Sequence, residues 1–144
     1  MTSARRILLV DDHELLRFGV KTMYAELDGV RIDWVEALTL QQAIDKFSGE
    51  GPFDAVLLDL NLPRPARGLP RHRARHLGAA LRHARQFLQA HPRARVAVFS
   101  GTQDEFVVRQ ARALGAVGYV GKGTNLAEMR ETLVALLGIP PPGT

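Results

Sequence analysis

Short apolar runs alternate with longer amphipathic stretches along the 144-residue chain. An unbroken apolar run is typical of a strand buried on both faces, and apolar positions three and four residues apart predict a helix packed on one side. The pattern predicts five strands, at residues 6–10, 31–36, 55–58, 96–99 and 117–120. It predicts a helix after each strand, at residues 14–27, 40–47, 77–88, 105–114 and 126–137.

Five strand–helix units in succession predict one α/β domain, with a doubly wound five-stranded parallel sheet between two layers of helices. We assign residues 1–138 to this domain, and residues 139–144, which contain three consecutive prolines, to a tail or the start of a linker. In such a sheet the functional crevice lies beyond the carboxyl ends of the strands. Candidate helix caps are Thr39, Asp104, Thr124 or Asn125, and Gly115.

The composition, 46% hydrophobic and 24% charged, is that of an ordinary globular protein. The chain is long enough to bury a core without disulfides, and it contains no cysteine, which is compatible with a reducing compartment. The apolar run near the amino terminus is too short for a signal peptide or a membrane span, so we expect a cytoplasmic protein without membrane contact. The net charge of +4 is local, because residues 64–95 contain nine arginines and no acidic residue.

Carboxylates follow two of the predicted strands. Asp11 and Asp12 come directly after the first strand, and Asp59 comes directly after the third. Mg²⁺ prefers oxygen ligands in octahedral order and retains several waters. We predict that Asp12, Asp59 and the backbone carbonyl of Asn61 bind Mg²⁺ directly, and that Asp11 acts through water. Since clustered carboxylates repel one another, a nearby cation is expected in any case.

A hydroxyl and an ammonium group follow the last two strands, at Ser100 and Lys122. With the metal, each can hold one oxygen of a phosphoryl group carried by Asp59. Taken singly, each of these polar residues is commonly a turn, a helix cap or a solvated side chain. The four matched positions at strand ends favour a functional site over four unrelated caps.

These segments resemble the receiver domains of bacterial two-component response regulators. Residues 8–13 (LLVDDH) resemble the acidic-pair segment of that family, residues 56–63 (VLLDLNLP) its phosphoacceptor segment, and residues 115–122 (GAVGYVGK) its lysine segment. The resemblance spans residues 5–137. DLNLP and GYVGK are most similar to the NarL/FixJ branch.

The resemblance implies a flavodoxin-like receiver fold and a phosphoryl transfer from a sensor histidine kinase to Asp59 with Mg²⁺. It places Ser100 and Tyr119 at the switch positions that respond to the phosphoryl group, and it implies a homodimer after phosphorylation. Such a chain catalyses its own phosphorylation and dephosphorylation but acts as a signalling switch rather than a conventional enzyme. Members of that branch generally continue into a DNA-binding domain, and its output would then be transcription; a single-domain regulator is the alternative, and the sequence does not decide between the two. In both cases we expect no direct DNA contact by residues 1–144.

Two alternatives stay open beside this interpretation. One is a receiver-like interaction module that no longer transfers phosphate. The other is a nucleotide or flavin protein with the same fold, although the carboxylates after the first strand stand where phosphate-binding N–H groups would be needed. The chain also departs from the receiver pattern in one segment and at one position. Residues 64–76 form an Arg-rich insertion and Gly123 replaces a frequent proline.

The insertion has two interpretations. It is a solvated loop, or Arg64 or Arg67 reaches the site or an acidic partner. In either case we expect the third helix to begin late, near Arg75. The histidines in and after this segment, at positions 72, 76 and 83, lack the spacing of a transition-metal site.

Overall fold

A computed structural model describes residues 4–59, 73–100, 105–121 and 129–139, except for the side chains of residues 73–80, 100 and 121. The strands are β1 (Ala4–Val10), β2 (Glu26–Leu27), β3 (Val30–Ala37), β4 (Ala55–Asp59), β5 (Val96–Ser100) and β6 (Gly118–Gly121). The helices are α1 (Glu14–Met23), α2 (Leu40–Gly49), α3 (Arg73–Ala90), α4 (Glu105–Ala113) and α5 (Met129–Leu137).

The sheet has the strand order β2-β3-β1-β4-β5-β6. All neighbours pair in parallel except β2 and β3, which are antiparallel. The five long strands therefore confirm the predicted doubly wound parallel sheet. After β3 the chain crosses to the other side of β1 and continues with β4, so the order reverses between β1 and β4. The crevice of a doubly wound fold opens at that reversal.

The first helix is shorter than predicted, and the sheet has a sixth strand that the sequence pattern did not predict. We predicted a helix over residues 14–27, but α1 ends at Met23 and Leu27 pairs with Val30 in a two-residue hairpin. Asp28 (φ 51°) and Gly29 (φ 83°) both adopt positive φ, as the tight turn of such a hairpin requires. Leu27 is buried in this hairpin rather than on a helix.

Other boundaries moved by a few residues. The third helix begins at Arg73, before the predicted 77 and close to the expected Arg75, and it continues to Ala90. The fourth helix ends at Ala113, and the last strand begins at Gly118, so that Val117 is exposed. The five long strands end at the predicted residue or one residue beyond it, so Asp59 and Ser100 are the last residues of β4 and β5 rather than the first residues after them.

Two apolar clusters fill the space between the sheet and the helices. Leu8 and Val10 of β1 face the cluster that receives α2, α3 and α4, including Phe87 of α3. Ile7 and Leu9 of β1 face the opposite cluster, which receives α1 and α5. Successive strand residues point to opposite faces, so an all-apolar β1 supplies both clusters. This burial on both faces explains the uninterrupted apolar run in the sequence.

Two of the predicted helix caps are present. Thr39 Oγ1 accepts a hydrogen bond from the backbone N–H of Gln42 at 3.1 Å, as a cap of α2 should. Gly115 follows α4 with φ 115°, and its N–H donates to the carbonyl of Arg112 while Ala116 N–H donates to Ala111. This pair of bonds closes the carboxyl end of the helix. The other predicted caps lie outside the described residues.

We expect Gly115→Ala to destabilise the protein by about 1–3 kcal/mol, because a side chain at this φ is strained. The added Cβ would meet only Leu88, at an ordinary 3.6 Å, so the cost is conformational rather than steric. Gly49→Ala is the matched control, since Gly49 lies in α2 at an ordinary φ with open space around its Cβ. It should be neutral or stabilising by up to about 1 kcal/mol. Urea unfolding measures both, and equal effects would contradict the expectation.

Candidate functional site

Three carboxylates meet at the reversal between β1 and β4. Asp11 and Asp12 follow β1, and Asp59 is the last residue of β4. The register pairs Val10 of β1 with Leu58 of β4, so the residues that follow these two lie side by side. Asp11, Asp12, His13 and Asp59 each offer a ligand atom, and these atoms lie within 4.8 Å of one another. The structure thus brings together the three acidic residues that the sequence predicted.

The three carboxylates differ in their exposure. Asp11 and Asp59 are fully buried, whereas the side chain of Asp12 is 35% exposed. A buried ionised carboxylate is costly unless donors or a cation compensate for its lost hydration. Two buried carboxylates beside a third carboxylate therefore favour a bound cation.

His13 belongs to the same cluster, although we did not predict it as a site residue. Its backbone N–H donates to Asp11 Oδ1 at 2.7 Å, and its ring Nδ1 lies 2.8 Å from the same oxygen. The ring Nδ1 is also 3.4 Å from Asp12 Oδ1 and 3.9 Å from Asp59 Oδ2. The sequence contains a histidine directly after the acidic pair, but this position alone does not define the direction of the ring.

A second network fixes the backbone that carries Asp11. Arg17 of α1 donates from Nη1 to the carbonyl oxygen of Asp11 at 2.8 Å, and from Nε to Glu36 Oε1 at 2.8 Å. Lys21 Nζ lies 3.0 Å from the other oxygen of Glu36, and Lys46 Nζ donates to the Glu36 carbonyl at 2.7 Å. Helix α1 and strand β3 are thereby tied to the acidic loop.

The pKa of the Glu36 carboxyl reflects this network. Burial would raise the pKa, but the hydrogen bonds and positive charges of Arg17 and Lys21 outweigh burial and hold it below the ordinary value of 4.5. A carboxyl with a lowered folded pKa contributes stability that is fully present above 4.5 and is lost as the pH falls through the folded value. The side chain is about one third exposed, so solvent screening keeps this contribution modest.

We therefore expect Glu36→Gln to destabilise the protein at neutral pH, and the difference from the parent protein to shrink as the pH falls below 4.5. Urea unfolding of both proteins at several pH values measures the difference. Glu50→Gln serves as a control, because Glu50 is an exposed carboxylate just beyond α2. A difference between Glu36→Gln and the parent that does not change with pH would contradict the assigned network.

The donor set fits a hard divalent cation. Three carboxylates supply oxygen atoms at short mutual distances, which is the ligand chemistry that Mg²⁺ selects. Two of our assignments, the carbonyl of Asn61 and the ammonium of Lys122, lie outside the described residues. Ser100 ends β5, one residue beyond Phe99, which pairs with Asp59, but its side chain is not described.

Tyr119 lies on β6, where it pairs with Val98. Its half-buried ring packs against the cluster that includes Val107 and Ala111 of α4. The residue therefore stands between the sheet and α4, on the same strand that leads to Lys122. Its role as a switch stays a prediction.

Comparison with known proteins decides the family. The profile of the response regulator receiver domain matches residues 7–134. The chain belongs to the response regulator receiver family. Response regulator GacA of Pseudomonas viridiflava is 34% identical over 129 residues, covering 89% of this chain and 53% of GacA. The transcriptional regulatory protein ComA of Bacillus subtilis (strain 168) is 25% identical over 133 residues, covering 92% and 56%.

Solved receiver structures agree with this assignment. A two-component response regulator of the LuxR family from Aurantimonas sp. SI85-9A1 superposes with a TM-score of 0.72 at 30% identity, covering 94% of this chain and 86% of that one. The Francisella response regulator 1452 receiver domain gives 0.72 at 15% identity, covering 93% and 97%, and so shares the fold. The receiver fold predicted from the sequence is confirmed.

The match covers only part of the length of these relatives. The chain spans about half the length of the curated response regulators that it matches, 53% of GacA for example. Among the helices in the described ranges, none has both the length and the hydropathy to cross a membrane.

Proposed function

We propose that this receiver domain accepts a phosphoryl group on Asp59 from a sensor histidine kinase and relays it as a conformational signal. One observation carries the proposal. Asp59 ends β4 fully buried at the switch point of the sheet, with Asp11 and Asp12 beside it. Membership of the receiver family supplies the reaction class.

In this proposal a carboxylate oxygen of Asp59 attacks the phosphorus atom of a phosphohistidine. The bond from phosphorus to the imidazole nitrogen breaks, the histidine leaves with that electron pair, and an aspartyl phosphate forms. Positioning and charge compensation provide most of the catalysis in phosphoryl transfer. The end of β4 holds Asp59, and His13 and Arg17 hold Asp11 through its carboxylate and its carbonyl.

Receiver domains generally bind Mg²⁺ at an acidic pocket, and the pocket here has the matching donors. We assign direct contacts to Asp12, Asp59 and the carbonyl of Asn61, and a water-mediated contact to Asp11. When bound, Mg²⁺ would neutralise charge on the transferring phosphoryl group. Lys122 and Ser100 would hold its other oxygens, as their sequence positions predict.

Family membership is the basis on which we propose the partners of this domain and its response to phosphorylation. Receiver domains interact with histidine kinases and can dimerise, and we propose both for this chain. Ser100 and Tyr119 would respond to the phosphoryl group, which would alter the face formed by α4, β6 and α5. Transcription is the output we propose, because relatives such as ComA are transcriptional regulatory proteins. It would require a DNA-binding domain beyond residue 144. The proposed location is the cytoplasm.

Incubation with acetyl phosphate and Mg²⁺, followed by intact-mass measurement, tests the proposal. We expect one added phosphoryl group, and none when a chelator removes the metal. The expected result does not depend on the Arg-rich residues 64–76, most of which lie outside the described residues. A chain with native circular dichroism that takes no phosphoryl group would favour the alternative of an interaction module without phosphotransfer.

A further inference from the structure

Arg17 of α1 is a largely buried cation in contact with the acidic loop, residues 11–13. Its side chain is only 12% exposed. Its Nη1 donates to the carbonyl oxygen of Asp11 and its Nε to Glu36 Oε1, each at 2.8 Å. Burying a charged side chain is costly unless partners satisfy its donors. The guanidinium contacts neither substrate nor ion in the phosphoryl transfer proposed above, so its burial points to another role.

We propose that Arg17 is a positioning residue for this phosphoryl transfer. It fixes the peptide group between Asp11 and Asp12 and thereby keeps the Asp12 carboxylate in place for the ion. The proposal rests on the proposed function, because it takes the acidic pocket to be the phosphorylation site. It adds a residue that lies outside the carboxylates and contributes geometry rather than charge.

The polar groups of Asp11 show how tightly the start of the loop is held. Its N–H donates to the carbonyl of Ala37 at 3.1 Å, which extends the pairing of β1 with β3. Its Oδ1 accepts the N–H of His13 at 2.7 Å. Its carbonyl oxygen, which Arg17 holds, belongs to the planar peptide group that continues into Asp12. Fixing this oxygen therefore fixes the direction in which the backbone of Asp12 begins.

Arg17 also contacts the far end of the loop and is itself held in place. Its backbone N–H donates to the carbonyl of His13 at 3.0 Å, while its side chain reaches back to Asp11. Glu36 accepts from Nε, and Lys21 Nζ lies 3.0 Å from the other Glu36 oxygen. A planar guanidinium can donate to a carboxylate and a carbonyl in fixed directions, whereas a lysine ammonium is a point charge. One arginine thus ties the loop to both α1 and β3.

Charge and geometry predict opposite effects for this residue. Arg17 carries a positive charge in contact with the acidic loop, so removing the charge alone would strengthen the binding of a divalent cation. Loss of the hydrogen bond to Asp11 would instead let the peptide group turn and displace an ion ligand, which weakens binding. Weaker Mg²⁺ binding after removal of this cation therefore indicates positioning.

Calorimetric titration with Mg²⁺ tests the proposal on the parent chain, Arg17→Met and Arg17→Lys. We expect the affinity to fall about tenfold in Arg17→Met, as for other residues that orient a metal ligand. Arg17→Lys keeps the charge but cannot hold Glu36 and Asp11 together, and should lose at least about threefold. Lys21→Met is the matched control, because Lys21 is a cation of the same helix whose described contact is with Glu36. It should keep or slightly raise the affinity, and circular dichroism verifies the fold of each variant.

Phosphorylation from acetyl phosphate at increasing Mg²⁺ provides a second readout. In Arg17→Met we expect the Mg²⁺ concentration at half-maximal rate to rise about tenfold, while the labelled fraction at saturation stays that of the parent. A merely structural role would lower the labelled fraction and leave that concentration unchanged.

An unchanged or higher Mg²⁺ affinity in Arg17→Met overturns the proposal, and so does an equal loss in Lys21→Met. Arg17→Lys decides by the same criterion should Arg17→Met not fold. Labelling of the parent in these cases leaves the proposed function intact. A folded parent chain that neither binds Mg²⁺ nor takes a phosphoryl group overturns both proposals.

Discussion

Asp59→Asn is expected to abolish phosphoryl incorporation from acetyl phosphate. Asparagine has nearly the same shape, so the fully buried position should stay filled and the core beneath it intact. The amide lacks the anionic oxygen that attacks phosphorus, and its NH₂ group cannot bind a cation as a carboxylate oxygen does. We therefore expect the rate to fall more than about 100-fold, a barrier increase above ~2.7 kcal/mol.

Intact-mass measurement over time determines the labelled fraction of each protein. Asp45→Asn serves as the matched control, since it removes an exposed carboxylate of α2 away from the acidic pocket and should label like the parent. Labelling of Asp59→Asn to the same extent as the parent would show that another residue accepts the phosphoryl group.

Asp12→Ala is expected to weaken Mg²⁺ binding by at least about tenfold, or ~1.4 kcal/mol, and by more than Asp11→Ala does. The partly exposed carboxylate of Asp12 can contact an ion directly and still leave room for its waters. Asp11 is fully buried, and its Oδ1 already accepts the backbone N–H of His13 while the ring Nδ1 lies beside it. A carboxylate held in this way is better suited to orient a bound water than to replace one.

Calorimetric titration with Mg²⁺ compares the two variants after urea unfolding has shown that both are folded. Because Asp11 is buried, Asp11→Asn provides a second variant that leaves no cavity. Equal losses for Asp11 and Asp12 would remove the distinction between direct and water-mediated contact.

The sequence predicted the parts of the fold that depend on local pattern. Each long strand is an apolar run buried on both faces, and the polar residues follow at its carboxyl end, so the pattern alone indicates Asp11, Asp12 and Asp59. The hairpin at Leu27 was missed because Leu27 continues the helical spacing of α1. The dipeptide Asp28-Gly29 was the stronger signal and should have ended the helix.

Contacts between segments that are distant along the chain could not be predicted from the sequence. Arg17 reaches Glu36 only because β3 pairs with β1 in the observed register, which places Glu36 beside Leu9. No spacing rule predicts such a pair from residues 19 positions apart. The ring of His13 was overlooked for a different reason, since one histidine after an acidic pair has no defined direction until the turn is known.

Asp59 is the residue that we propose to carry the phosphoryl group. The most direct test of this role is to label the parent chain with acetyl phosphate and Mg²⁺, trap the acyl phosphate with borohydride and locate the product by peptide mass spectrometry. Borohydride reduces an aspartyl phosphate to homoserine, which marks the acceptor permanently. We expect homoserine at position 59 alone. Homoserine at position 11 or 12, or at none of the aspartates, would contradict the role of Asp59.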